Sequence, residues 1–160
     1  GSGAVCAFEA LPSSGKVLQV VNVADNARRT SSSTTFVDGV SLAITPASGS
    51  KVLVLLSMNG CAADGSANDN ALGLRLLRGS TTLKNIDRII GYNNSSAQAN
   101  LGSSSMTYLD ASPGGDGSTA ITYKVQYANS GGAGGNVYIN QYYFADTDSN
   151  STITLMEIGA

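Results

Sequence analysis

Two groups of residues, one of a tyrosine with two asparagines and one of two tyrosines, have the chemistry of a recognition surface. Tyr92 stands directly before Asn93 and Asn94 in a polar stretch, and Tyr142 and Tyr143 are adjacent near the end of a predicted strand. Aromatic rings stack on sugars or on partner chains, and amide side chains supply directional hydrogen bonds. Because successive strand residues point to opposite faces, at least one of the two adjacent tyrosines must face away from a core. We therefore treat these five residues as candidate binding residues, with ordinary cross-strand or subunit packing as the alternative.

The residues of ordinary acid-base and nucleophilic catalysis are scarce in this chain. It has no His, and its only glutamates are Glu9 and Glu157. General acid-base catalysis calls on His or on two carboxylates in one pocket, whereas the Asp residues here fall in or beside turns, where their oxygens accept backbone hydrogen bonds. The glycine-rich stretch 131–135 lacks the Lys-Ser/Thr ending of a phosphate loop. We therefore predict that the protein is not an enzyme, with no catalytic residue and no cofactor.

One stretch follows the spacing of a calcium loop. Asp146, Asp148 and Asn150 alternate, and Glu157 is twelfth counting from Asp146. However, Ser151 replaces the glycine that such a loop requires, and the following residues alternate as in a strand. With no His and no Cys-x-x-Cys pair, a zinc site also lacks ligands. We expect a turn at this place and no metal site.

The two cysteines, Cys6 and Cys61, are far apart in the sequence. A disulfide between them would tie the amino-terminal residues to the turn after the central predicted strand. Two unpaired thiols, buried or idle, are the alternative. The spacing alone leaves both readings open.

The stretch between residues 34 and 59 contains two predicted strands and the centre of the predicted core. Val40, Leu42 and Ile44 alternate with small or polar residues, which is the period of a strand with one buried face. After Pro46, the run 51–57 is apolar at both sets of alternating positions, as in the central strand of a packed sandwich. Since only one side of that strand can face the core, the other indicates a subunit interface.

Further runs show the same alternation or a short apolar core. In one of them, 71–78, Gly73 and the alternating leucines favour a strand over a helix. We predict strands at 16–24, 71–78, 81–90, 106–109, 121–127, 137–144 and 152–158, and a polar connection over 91–104. About eight or nine strands favour an all-β fold, an antiparallel two-sheet β-sandwich of jelly-roll-like type. Residues 1–14 are predicted to be an arm or linker, and residues 15–160 the sandwich domain.

The composition limits the partners of the protein. Charged residues make up 12% of the 160 residues, about half of the ~25% usual in soluble proteins. The net charge of −2 and the scattered Lys and Arg residues give no footprint for nucleic acid. No stretch reaches the ~20 apolar residues that span a bilayer, so we expect no membrane insertion. A surface rich in hydroxyl and amide groups suits an extracellular particle or appendage.

Several segments taken together resemble a known group of proteins. They are GKVLQVV from Gly15, TTFVDGVSLAITPASGSKVLV over 34–54, LRLLRGSTTL over 74–83, TYLD over 107–110, ITYKVQY over 121–127, NVYIN over 136–140 and the closing STITLMEIGA. In this order the chain resembles, over residues 15–160, the carboxy-terminal domains of tailed-bacteriophage virion proteins, chiefly tail fibres.

This resemblance implies a location and a set of partners. It implies a virion structural protein, the β-sandwich head of a tail fibre, that is a homotrimer, contacts other virion proteins and attaches to the host by binding a surface receptor, a protein or often a glycan. It transfers no site residues. Because the sequence shows no fibrous stem, a capsid decoration, cement or head-fibre protein is the first alternative. An extracellular carbohydrate-binding module or filament subunit is the second.

Overall fold

The computed structural model describes residues 15–64, 70–93, 100–132, 134–141 and 149–160, and for 88–93 and 100–101 it describes the backbone alone. The described residues form β-strands joined by turns and loops. The strands are β1 (Val17–Asp25), β2 (Arg29–Ser31), β3 (Val37–Ile44), β4 (Lys51–Ala63), β5 (Asn70–Arg78), β6 (Thr81–Asn93), β7 (Asn100–Asp110), β8 (Ile121–Asn129), β9 (Val137–Ile139) and β10 (Ser151–Ile158). Within these ranges no helix is long and apolar enough to cross a membrane.

The strands make two antiparallel sheets. Sheet A has the order β1-β10-β4-β9-β2, with β7 paired to β4 as its sixth strand, and sheet B has the order β3-β8-β5-β6. Because β10 and β7 both pair with the first half of β4, they lie on its two sides. The predicted all-β, antiparallel two-sheet β-sandwich is therefore confirmed, with β4 in the central position that its sequence indicates.

The core lies between the two sheets and is built from alternate residues of the central strands. On β4, every second residue from Val52 to Met58 is buried, while the residues between them are only partly covered. The facing strands of sheet B contribute leucines from β5 and tyrosines from β8. The largest fully buried side chains include Tyr123, Met58, Leu72, Leu74, Leu76, Ile139, Ile153 and Leu155. This alternation of burial follows from strand geometry, in which successive side chains point to opposite faces of the sheet.

A buried polar cluster links the two sheets. The carboxylate of Asp110, at the end of β7 in sheet A, accepts a hydrogen bond from the Tyr123 hydroxyl at 2.8 Å and from the Arg78 guanidinium at 2.7 Å. Tyr123 and Arg78 belong to β8 and β5 of sheet B. Burial, with the hydrogen bond to Asp110 as the second cause, raises the pKa of Tyr123 well above its usual value. The cluster pairs a buried charge with two donors, as a buried carboxylate requires.

The predicted polar connection over 91–104 is wrong at both of its ends. β6 continues to Asn93, and β7 begins at Asn100 and pairs through Gly102 with the last residues of β4. Ser103 and Ser105 point outward on β7 and are exposed. The strand is hard to read from its sequence because Gly102 and Ser104, at the inward positions, carry no apolar side chain.

The predicted strand over 137–144 also needs correction, as does the polar stretch 25–33, which the strand pattern leaves as a loop. β9 ends at Ile139, because Asn140 has a positive φ of 57° and turns the chain out of the strand. The loop contains the short β2, which pairs with β9. Both differences come from contacts between segments that are distant in the sequence, and the alternation of apolar and polar residues carries no information on such contacts.

Candidate functional site

The five residues predicted to bind a ligand fall largely outside the part of the chain that is described. Tyr92 and Asn93 end β6, but their side chains are not among the described ones, and Asn94, Tyr142 and Tyr143 lie outside the described residues. Their role stays a prediction.

One of the two cysteines is described. Cys61 is fully buried near the end of β4, and Cys6 lies outside the described residues. Pairing of the two cysteines stays a prediction as well.

A cleft of about 430 Å³ at sheet B is the best candidate site among the described residues. It lies beside strands β8, β5 and β6, and the segment that precedes β3 forms its other wall. Its lining combines one aromatic ring, amides, a carboxylate and hydroxyls: Thr34, Phe36, Leu74, Asn85, Asp87, Ala128, Asn129 and Ser130. The volume is within the ~300 to 1,000 Å³ of small-molecule sites, and the mixture of apolar and polar groups is also typical of them.

The aromatic wall of the cleft is held by a charged neighbour. The guanidinium carbon of Arg75 lies 4.2 Å from the centroid of the Phe36 ring. The same guanidinium donates two hydrogen bonds to Oε1 of Gln126, at 2.8 and 2.6 Å. Arg75 is thus fixed by β8 and stabilises the ring by a cation-π contact.

The segment that carries Phe36 is anchored by backbone hydrogen bonds. The amide of Asn129 donates to the carbonyl of Ser33 at 2.8 Å, and the amide of Thr35 donates to the Ser33 hydroxyl at 2.9 Å. Below it, Gly73 leaves the space that brings Ser130 and Phe36 close: a Cβ there would lie 3.0 Å from Cβ of Ser130. The cleft wall is therefore preorganised by the sheet rather than formed by a loose loop.

The other polar wall comes from β6 and from the end of β8. Asn85 pairs with Arg75 and is exposed, and Asp87 pairs with Leu74 at an irregular part of the β5–β6 ladder. The buried Asn129 accepts hydrogen bonds from the amides of Gly131 and Gly132 and so fixes the loop that follows β8. These groups place hydrogen-bonding atoms around one aromatic ring.

A hydrogen-bonded network continues from the cleft across the outer face of sheet B. Asp38 on β3 accepts a hydrogen bond from Nζ of Lys124 at 2.8 Å and one from Nε2 of Gln126 at 2.6 Å. The Lys124 hydrogen bond, followed by that of Gln126, lowers the pKa of Asp38. Gln126 also accepts from Arg75, so one chain of contacts crosses three strands. This face is polar, ordered and open to solvent.

The signals for this site in the sequence are weak. Arg75 is a charged residue inside an otherwise apolar run, which indicates an outward position on a strand. Nothing local shows that Phe36 will lie over it, because the two residues meet only once β3, β8 and β5 are side by side. Sequence reasoning therefore missed the site.

Of the residues that follow the spacing of a calcium loop, Glu157 lies on a described strand, β10. Glu157 lies on the inward side of β10, is 5% exposed, and its Oε1 accepts a hydrogen bond from the amide of Ala47 at 2.8 Å. It thus stabilises the turn between β3 and β4. Asp146 and Asp148 lie outside the described residues. Among those that are described, no three acidic or cysteine side chains form a group that could hold a metal ion.

Comparisons with known proteins add little to this geometry. No family model matches the sequence, and no curated protein matches it significantly. Among solved structures, the chain is similar to a chain in the crystal structure of the infectious bursal disease virus VP2 subviral particle, with 16% sequence identity and a TM-score of 0.38. The match covers 89% of this chain and spans 38% of the length of that one.

Proposed function

We propose that this protein is a non-enzymatic structural protein of a virion, the distal domain of a tail fibre, and that the cleft beside Phe36 binds a glycan of the host surface. The resemblance of residues 15–160 to tail-fibre domains supports the location. The observation that carries the binding role is the cleft itself, in which one held aromatic ring is surrounded by hydrogen-bonding side chains.

The chemistry of the cleft suits a sugar better than a charged or wholly apolar ligand. A pyranose ring has an apolar C–H face, which stacks on an aromatic ring, and hydroxyl groups around its rim. Around Phe36, the side chains of Thr34 and Asn85 are exposed, and Ser130 and Asp87 are partly exposed. Amide, carboxylate and hydroxyl groups together can both donate to and accept from sugar hydroxyls.

The binding part is tested by titration of a panel of host-surface oligosaccharides, with binding followed by calorimetry or by NMR shifts. Phe36→Ala removes the ring and should weaken binding by about tenfold, whereas Phe36→Tyr keeps the ring and should bind within about threefold of the wild type. Thr122→Ala removes an exposed hydroxyl from the same sheet outside the cleft and should have no effect. Equal affinity of the wild type and Phe36→Ala for a bound glycan would contradict the assignment of the cleft.

The virion part is tested separately by immunogold electron microscopy with antibody raised against this domain. Gold at fibre tips is the expected result. Gold over capsid faces would favour a decoration protein, and the absence of any labelled particle would favour a module that is not viral.

A further inference from the structure

The outer face of sheet A has a different character from that of sheet B. Val20 on β1 and Leu109 on β7 lie on it and are about half exposed, at 54% and 48%. Val17 and Leu18, at the irregular start of β1, are exposed to a similar extent. β1 is also an edge strand, because it pairs with β10 alone in the described part of the sheet.

The strand register places these side chains in one row. Val20 pairs with Met156, Met156 with Leu53, and Leu53 with Leu109. Residues directly opposite one another on antiparallel strands share a face, so the four side chains form an apolar row across β1, β10, β4 and β7. Ile158 and Leu55, two positions away on β10 and β4, extend the row on each side.

The remainder of this face carries almost no charge. Its further rows consist of Asn22, Thr154 and Thr107, and of Ala24, Thr152, Ser57 and Ser105. Lys51, at one corner beside Ile158, is the one ionic side chain that these registers place on the face. A face with a single cation offers nothing to a strongly charged partner, whereas apolar and hydroxyl side chains pack against a surface of the same kind.

The size of the face matches a subunit interface. Four strands at ~4.8 Å spacing are about 19 Å wide, and eight residues at ~3.3 Å are about 26 Å long, which gives about 500 Å² in projection. Two such faces together come to about 1,000 Å², the lower bound for a specific protein–protein interface.

We propose that the outer face of sheet A, formed by β1, β10, β4 and β7, is buried against the same face of further copies of this chain. The row Val20–Met156–Leu53–Leu109 is the centre of that interface. This inference stands on the register and exposure of sheet A and does not depend on a glycan in the cleft.

A segment of the same chain fits the face less well. Residues 1–14 precede β1 in the sequence and include Val5, Phe8 and Leu11. A single extended segment covers one strand spacing, ~4.8 Å, of a face about 19 Å wide, so most of the face would stay open. A second four-stranded face covers it completely.

The test measures the mass of the full chain in solution by light scattering and native mass spectrometry at about 1 to 50 µM. The wild type should assemble: two faces that pair across a two-fold axis give a dimer, and three faces that meet around one axis give the trimer that the resemblance implies. Val20→Lys and Leu109→Lys place a charge in the interface at positions already half exposed, so each should still fold yet give the monomer mass throughout this range. Thr122→Lys adds the same charge to the outer face of sheet B and should assemble like the wild type. Circular dichroism checks the fold of each variant.

Two results would overturn the proposal. One is a wild type that remains monomeric at the highest concentration. If a chain without residues 1–14 then associates, that segment is the one that covers the face in the wild type. The other is a wild type that assembles while Val20→Lys and Leu109→Lys, both folded, assemble equally well.

Discussion

At the scale of single residues, burial sets the chemistry of Cys61. Its side chain is 0% exposed at the inner side of β4, and burial, with the charge of Asp87 as the second cause, raises the pKa of its thiol to about 12. The unfolded thiol ionises near its ordinary value of 9.0. Because the native state keeps a proton that the unfolded state loses, this group contributes stability below about pH 9, and the contribution is lost as the pH rises towards 12.

We predict that native Cys61 is inert to thiol reagents. At about pH 8 a group with a pKa of 12 has about a thousandfold less thiolate than one with a pKa of 9, and the side chain is also shielded. In a Cys6→Ser variant, a disulfide-exchange dye should label the native protein only at the rate of unfolding, and label it fully in denaturant. Rapid labelling of the folded variant would contradict the burial of Cys61.

The same dye distinguishes a disulfide between Cys6 and Cys61 from two unpaired thiols. Wild-type protein unfolded without reductant should release two thiols if the cysteines are unpaired and none if Cys6 and Cys61 form a disulfide. The structure places Cys61 but not its candidate partner, so this count is the direct measurement.

At the scale of strands, a single asparagine fixes where β9 ends. Asn140 has left-handed backbone geometry and is 3% exposed. Its Nδ2 donates to the carbonyl oxygens of Asp25, at 2.8 Å, and Ala27, at 3.1 Å, and its Oδ1 accepts from the Ser151 hydroxyl at 2.7 Å. It thereby joins the β1–β2 connection, the end of β9 and the start of β10.

Two variants of Asn140 should separate the contribution of its side-chain hydrogen bonds to stability from that of its left-handed backbone geometry. Asn140→Ala loses the side-chain hydrogen bonds and adds left-handed strain, so we expect a loss of about 2 to 4 kcal/mol in the free energy of unfolding. Asn140→Gly loses the same hydrogen bonds but tolerates the backbone geometry, and should be more stable than the alanine variant by about 1 kcal/mol. Urea unfolding measures both. Equal stability of the two variants would show that the backbone geometry carries no strain.

The strands also show what the sequence can and cannot reveal. Alternation in runs such as 40–44 and 121–127 predicts β3 and β8, because a half-buried strand needs period two whatever its partners are. The apolar run 51–57 predicts β4 as a central strand. The start of β7 at Asn100 depends instead on the length of its partner β4, and the end of β9 depends on contacts of Asn140 with β1 and β10. Such boundaries are set by pairing, so no local pattern predicts them.

At the scale of the whole molecule, the sandwich has two outer faces of different character, a polar one on sheet B and an apolar one on sheet A. Sheet B presents the network from Asp38 to Arg75 and the cleft beside Phe36, and sheet A presents the apolar row. The apolar character of both sides of 51–57 is visible in the sequence and predicts a second packed face. The cleft is not visible in the sequence, because Arg75 and Gln126, which position the Phe36 ring, are 51 residues apart.

This arrangement predicts that assembly and ligand affinity can be separated by mutation. The two faces lie on opposite sides of a two-layer sandwich, so a change on one should alter the other by no more than about 0.5 kcal/mol. A monomeric Val20→Lys variant should therefore bind a soluble monovalent glycan within about twofold of the wild type.

On a densely coated surface an assembly engages several ligands at once, which commonly strengthens binding by about 10² to 10⁴. We expect Val20→Lys to lose about a hundredfold or more of its apparent affinity there, as measured by surface plasmon resonance at high and low glycan density. Phe36→Ala is the matched control: it should keep the assembled mass and bind more weakly than the wild type at both densities, by about tenfold at low density. Val20→Lys that is monomeric yet binds the dense surface as tightly as the wild type would show that the assembly does not serve attachment.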